Sequence, residues 1–187
     1  MSLPDVPVLE TERLVLRGHR PQDFKDCLAM WADPEVVRYI SGKPQTAEEV
    51  WAKMLRMVGH WSVLGYGFWV VSEKATGRFV GEAGFGRFKR DFEPGFGDDP
   101  EVGWGLASWA HGKGYAGEAV RAALAWGERR FDGARMVCMI APENTPSLRL
   151  AGKLGFREYG RATYKDQPTL LLERNGSAGN SATTVSG

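Results

Sequence analysis

With 187 residues the chain is long enough for one substantial hydrophobic core and short for two. Area scaling buries about 70% of the unfolded surface at this size, so neither a disulfide nor a metal is needed as a staple. A hydrophobic content of 43% with 25% charged residues excludes a disordered chain, and a net charge of +1 excludes a broad basic footprint for nucleic acid. Cys27 and Cys138 are the two cysteines; they make no C-x-x-C and no His/Cys zinc spacing, so no disulfide framework and no metal are expected. Met1 to Thr11 lacks the apolar core of a signal peptide, and no apolar run approaches the roughly 20 residues that span a bilayer. The expectation is a cytoplasmic protein without membrane or nucleic-acid partners, a monomer or a homodimer.

Arg13-Leu14-Val15-Leu16-Arg17 is an apolar run between charges and reads as a strand. Pro21-Gln22-Asp23 opens a helix through Leu28 and Trp31 that stops near Asp33-Pro34. Thr46 and Glu49 have capping-box spacing, and Val50, Met54, Met57, Val58 and Trp61 follow at helical intervals, which predicts an amphipathic helix over 46–61. Strands are expected at 67–71 and 78–88, joined by a Lys74-Ala75-Thr76-Gly77 turn. Residues 91–100 form a loop. Glu101 to Ala107 reads as a strand with two glycines, a sign of a bulge or of close approach by a backbone or ligand.

His111-Gly112-Lys113-Gly114-Tyr115-Ala116 then makes a glycine-rich turn into a helix whose inner face carries Val120, Leu124, Gly127 and Phe131. Met136 to Ile140 is a continuous apolar run suited to a strand buried on both faces. Strand, helix, strand in this order is a right-handed parallel crossover. A short helix follows with Thr145 as its expected cap, Pro146 at the first position and Gly155 as terminator. Strands near 156–162 and 169–173 close a single domain over 1–174. The tail, 175–187, is expected to be disordered.

A glycine-rich turn between strand and helix gathers backbone N–H groups at the positive end of the helix dipole, where phosphate binds. A Walker loop is excluded, because Ala107 and Gly114 stand where it needs Gly and Ser or Thr. A dinucleotide fingerprint is met by Gly112, Gly114 and Gly117, with Glu143 as the only acid for the ribose. This keeps an NAD(P)-dependent oxidoreductase open, although too little chain follows for a doubly wound sheet.

The segments Glu101-Val-Gly-Trp, His111 to Ala119, Asn144-Thr-Pro-Ser147 and Lys153-Leu-Gly-Phe156 together resemble the GNAT superfamily of acyl-CoA N-acyltransferases. Within it they resemble the branch of ribosomal-protein N-terminal alanine acetyltransferases, as does the opening Leu9 to Arg17. The resemblance spans roughly residues 9–174. It implies an α/β fold with a mixed, largely antiparallel sheet, a central splayed parallel strand pair and flanking helices. It also implies an N-acetyltransferase that moves acetyl from acetyl-CoA to a primary amine in a ternary complex, without a metal.

By the same resemblance, His111, Gly112, Lys113, Gly114, Tyr115 and Ala116 form the pyrophosphate loop, His111 replacing the usual Gln or Arg. Leu106 and Ala107 would pair with the pantetheine amides, and Asn144 and Ser147 would lie by the thiol. Glu101 takes the position of the base that an ammonium acceptor requires, and a backbone N–H at a bulge of its strand would stabilise the oxyanion. The family's thiolate-protonating tyrosine is missing from Leu150-Ala-Gly-Lys153, which leaves Ser147 or solvent as the acid. The same gap keeps open a CoA-binding module without turnover.

The remaining candidates have plainer readings. Cys138 belongs to the core, Asn144 can shape a turn, and His19 and His60 carry no expected role. The tryptophans line the core or the acceptor groove. The acidic loop Asp91, Glu93, Asp98 and Asp99 is expected to attract a cationic amine.

Overall fold

The computed structural model describes residues 5–176. Its elements in chain order are strands β1 (Leu9–Glu10) and β2 (Leu14–Arg17), helices α1 (Phe24–Trp31), α2 (Pro34–Val37) and α3 (Ala47–Leu64), strands β3 (Phe68–Glu73), β4 (Phe79–Gly86) and β5 (Glu101–Leu106), helix α4 (Tyr115–Arg130), strand β6 (Met136–Ile140), helix α5 (Thr145–Lys153), and strands β7 (Arg157–Tyr164) and β8 (Gln167–Arg174). All eight strands form one sheet in the order β1-β2-β3-β4-β5-β6-β8-β7. Every neighbouring pair is antiparallel except β5 and β6, which α4 connects.

Local chemistry sets the helix ends. Glu49 N donates to Thr46 Oγ1 and Thr46 N to Glu49 Oε2, the reciprocal cap expected of α3. Gly65 ends that helix at φ +70°. The cap of α5 is Asn144 rather than Thr145, because the Asn144 Oδ1 accepts the Ser147 N–H at 3.3 Å. The first helical stretch begins as a 3-10 turn over Pro21–Asp23, and after Asp33-Pro34 the chain makes the short α2. The expected strand over 78–88 stops at Gly86. The tail expected to be disordered lies, from residue 177 onward, outside the described residues.

Helices cover both faces of the sheet, so Trp69, Val70 and Val71 are all fully buried although they alternate in direction. On one face Leu14, Leu16, Trp69, Val71 and Phe85 pack against Val120, Ala123 and Leu124 of α4. On the other, Val70 and Phe79 meet Cys27, Met30 and Trp31 of α1 and Val50 and Met54 of α3. Cys138 is buried in the first of these clusters, as expected of a core residue.

Gly127 shows how tightly the first face is fitted. A Cβ there would overlap the ring of Phe85, itself fully buried. In an open helix Gly→Ala gains about 1 kcal/mol, whereas overpacking a filled core costs about 1–3 kcal/mol. Gly127→Ala is therefore expected to lower stability in urea unfolding by about 1 kcal/mol or more; a gain would show that Phe85 has room to move.

Candidate functional site

The parallel pair is registered at one position, Glu101 opposite Val137, with Val137 N donating to Pro100 O at 3.1 Å. Beyond it toward Leu106 and Ile140 the strands diverge, β5 staying in unbroken register with β4 and β6 with β8. Ala107 N donates to Val80 O. By the alternation of an antiparallel ladder, the backbone groups of Gly105 and Gly103 then face β4, while those of Leu106 and Trp104 face the gap. This revises two expectations. Ala107 is occupied on both sides, since its carbonyl accepts the Ala110 N–H, so the backbone directed into the gap is that of Trp104 and Leu106. Strand β5 also carries no bulge; its glycines instead admit side chains, Phe68 against Gly103 and the Trp31 ring edge against Gly105.

At the open end of the gap lies the glycine turn. Gly112 and Gly114 have φ of +73° and +79°, a conformation that L side chains adopt at a cost of about 1–2 kcal/mol. Gly114 caps α4, and the first turn of that helix leaves the N–H groups of Tyr115, Ala116 and Gly117 without an i−4 carbonyl. Glu118 holds the turn to the start of the chain by accepting from Thr11 Oγ1 (2.6 Å), Arg13 N (2.8 Å) and Arg13 Nε (2.7 Å). Arg13 in turn donates to the Lys113 carbonyl at 3.0 Å. Tyr115 lies under the Arg13 guanidinium and donates its hydroxyl to Glu73. His111 Nε2 lies 2.9 Å from the Leu106 carbonyl. Lys113 stacks on Trp109, and Arg121 lies against Gly117, so the turn has cations beside it. Helix α5, carrying half-buried Ser147, reaches this place through Leu150, which touches Gly117.

Glu101 sits at the closed end of the gap, 6% exposed. Arg90 holds its carboxylate in a fork, Nε to Oε2 and Nη2 to Oε1, both at 2.7 Å, and donates through Nη1 to the Tyr164 hydroxyl at 3.1 Å. A cleft of about 230 Å³ opens beside this pair, lined by Gly86, Arg87, Phe88, Arg90, Phe96 and Glu101 among others. Two acids of the loop are already paired with cations. Asp98 pairs with Lys89 and Arg87, and Asp99 with Arg135 at 2.6 Å, so the expected attraction of a cationic amine loses these two acids.

Sequence reading gave His19 and His60 no role and did not single out Glu82. Glu82 is 1% exposed and receives His19 Nε2 at 2.5 Å and Trp31 Nε1 at 2.8 Å, with Cys27 Sγ 3.8 Å away. Burial alone would push this carboxyl up, but the hydrogen bond and charge of His19, with help from Lys53 and Trp31, hold it below the usual range. His19, Cys27 and Glu82 bring ligand-type atoms within 4.8 Å of one another. Burial and then the Glu82 charge push the Cys27 thiol up, which opposes the thiolate that a metal needs. His60 accepts the Arg87 N–H at 3.2 Å and packs on Phe88. These groups lie 63 and 27 residues apart in sequence, so no local spacing signals them.

Comparison with known proteins adds the decisive observation: the family described as Acetyltransferase (GNAT) domain matches residues 13–157. The chain belongs to the GNAT acetyltransferase family. It is 33% identical over 153 residues to the uncharacterized N-acetyltransferase p20 of Bacillus licheniformis, covering 81% of this chain and 83% of that one. Among solved structures, a GNAT-family acetyltransferase from Bordetella pertussis superposes with a TM-score of 0.80 at 37% identity, covering 90% and 99% of the two chains. The ribosomal L7/L12 alpha-N-protein acetyltransferase RimL in complex with coenzyme A shares the fold, with a TM-score of 0.75 at 16% identity over 92% and 99% of the chains. This GNAT protein is thus an acyl-CoA-dependent N-acetyltransferase, and its sheet, mostly antiparallel with one parallel pair, has the architecture the family resemblance implied. No helix among the described residues is long and apolar enough to cross a membrane.

One charge beside Glu82 is measurable without a substrate. Burial pushes the Lys53 ammonium down to about 8; Glu82 opposes the shift, while Arg56 and Arg90 add to it. An unfolded lysine titrates near 10.4, so between these values the unfolded chain binds more protons and stability rises with pH. The stability of the wild type minus that of Lys53→Met is expected to grow by on the order of 2 kcal/mol from about pH 7 to pH 10. A difference that stays flat in urea titrations at both pH values would show that Lys53 is hydrated in the native state.

Proposed function

We propose that the gap between β5 and β6 receives the pantetheine arm of acetyl-CoA and that a primary amine attacks the thioester directly in a ternary complex. The observation that carries this reading is the divergence of the two strands after Glu101–Val137, with the glycine turn at the open end. The unpaired N–H groups at the start of α4, with Gly112, Lys113 and Gly114, cradle the pyrophosphate. His111 shapes the turn through the Leu106 carbonyl. The backbone of Trp104 and the N–H of Leu106 supply the edge to the pantetheine amides.

Arg90 occupies two of the four acceptor positions of the Glu101 carboxylate, leaving the outer lone pairs for the N–H groups of the acceptor. Glu101 takes a proton from the amine, directly or through water. The N–H of Trp104 stabilises the tetrahedral oxyanion in place of the expected bulge. Ser147, in the first turn of α5, protonates the leaving thiolate together with solvent, since a thiol of pKa near 8.5 leaves readily as its anion. Asn144 serves as the cap that sets the position of Ser147.

Calorimetric titration with acetyl-CoA, NAD and NADP tests the donor half, and CoA release from an amine panel tests the chemistry. Micromolar acetyl-CoA binding is expected, weakened tenfold or more in Gly114→Val, where φ +79° disfavours a branched side chain. Glu101→Gln is expected to lower kcat about 100-fold with little change in acetyl-CoA affinity. Binding of NAD instead of acetyl-CoA would overturn the reading, and acetyl-CoA binding without CoA release would reduce the protein to a binding module.

A further inference from the structure

Helix α3 turns Lys53, Arg56 and His60 toward one side at spacings of three and four residues. Lys53 Nζ lies 3.1 Å above the centre of the Trp31 ring, whose edge fills the space where a Gly105 side chain would stand. The Arg56 guanidinium is 5.3 Å from the centre of the Phe88 ring, and Arg90 is 4.8 Å from the same ring. Phe88 folds back over Gly86, the residue paired with Glu101 on β5. Three cations therefore converge on the glycine-lined surface of β4 and β5, beside the cleft that opens at Glu101.

The carboxylates nearby do not balance them. Glu101 is held by Arg90, and Glu82 is buried beneath Trp31 with its oxygens turned to His19 and Trp31. Among the described residues, neither Lys53 Nζ nor the Arg56 guanidinium has a carboxylate within ion-pair distance. Burial and the neighbouring Arg90 hold the Arg56 guanidinium below its usual value, and burial with Arg56 and Arg90 does the same for Lys53. Lys53 is largely buried, and Arg56, an exposed residue whose guanidinium lies against Phe88, repels it together with Arg90; an anion joining them would relieve that repulsion. Their cation–π contacts are worth only about 0.5–2 kcal/mol each and do not neutralise charge.

We infer that the amine acceptor carries an anionic group, a carboxylate or a phosphonate, which Lys53 and Arg56 bind while the amine faces Glu101. The inference rests on the acetyl-transfer reading and adds the chemical class of the acceptor. The cleft of about 230 Å³ at Glu101 is lined by Phe88 and Arg90 but not by Lys53 or Arg56, so it would take the amine end of the acceptor; it is smaller than the roughly 300–1,000 Å³ of drug-sized sites, which suits a small amino acid or aminoalkylphosphonate. Arg56 offers a planar fork to either anion and Lys53 a point charge.

Matched acceptors test this in the wild-type protein by CoA release: β-alanine against β-alanine amide, and 2-aminoethylphosphonate against ethylamine, with spermidine as the cationic extreme. The anionic member of at least one pair is expected to have a kcat/KM tenfold or more above its neutral partner and above spermidine; which pair responds more strongly separates carboxylate from phosphonate. Arg56→Gln and Lys53→Met are expected to raise KM for that anionic acceptor tenfold or more, leaving KM for acetyl-CoA and for the neutral partner within twofold. Equal or better use of the neutral amines or spermidine overturns the inference while acetyl transfer stands. Release of CoA with none of these amines and none of the wider panel, although acetyl-CoA binds, overturns acetyl transfer itself and the inference with it.

Discussion

The parallel contact between β5 and β6 is confined to one registered position, and the remainder of the site depends on that constraint. Two strands that part must leave backbone N–H and C=O groups without ladder partners, an arrangement unstable in a buried sheet unless water or a ligand completes it. Here the unfilled groups are those of Trp104 and the Leu106 N–H, the Leu106 carbonyl having His111 Nε2 beside it. The ladders on the outer sides, β4 with β5 and β6 with β8, keep each strand from closing the gap. The α4 crossover places the glycine turn at the open end, and Glu118 fastens that turn to Thr11 and Arg13 more than 100 residues away in sequence.

The same sheet separates two kinds of burial. On the α4 face the interior is apolar and closely fitted, with Trp61, Trp69, Trp126, Phe85 and Phe131 meeting edge to face. On the α1 and α3 face charge is brought inside: Glu82 under Trp31, Glu101 in the Arg90 fork, and Lys53 over the Trp31 ring. Buried charge of this kind contributes little net stability, since desolvation offsets most of the attraction. Its concentration on the face that lines the cleft, and its scarcity on the other, fit a surface shaped for a polar acceptor rather than for packing.

Much of the fold was legible along the chain. The capping box of α3, the turn at 74–77, the apolar run of β6 and the Gly112-Gly114 turn are local devices whose chemistry sits within a few residues. Errors fell where two local solutions compete: Asn144 and Thr145 are adjacent cap candidates, and only the hydrogen bond to Ser147 N decides between them. The glycines of β5 were readable as places of close approach, but not which groups approach; Phe68 and Trp31 come from other elements. Asp98 and Asp99 read as an acidic loop until Arg87, Lys89 and Arg135 were seen beside them.

By itself, then, the sequence determined the order of elements and the glycine turn at a helix start, because each follows from propensity and spacing over short stretches. The tertiary structure alone decided the Arg90 fork, the burial of Glu82 with His19, and the placing of Lys53 over Trp31 and of Arg56 over Phe88. These are contacts between groups 11 to 63 residues apart, on elements whose own periodicity is satisfied with or without them. Electrostatic partnership depends on distance and dielectric, and both are set only when the helices close over the sheet.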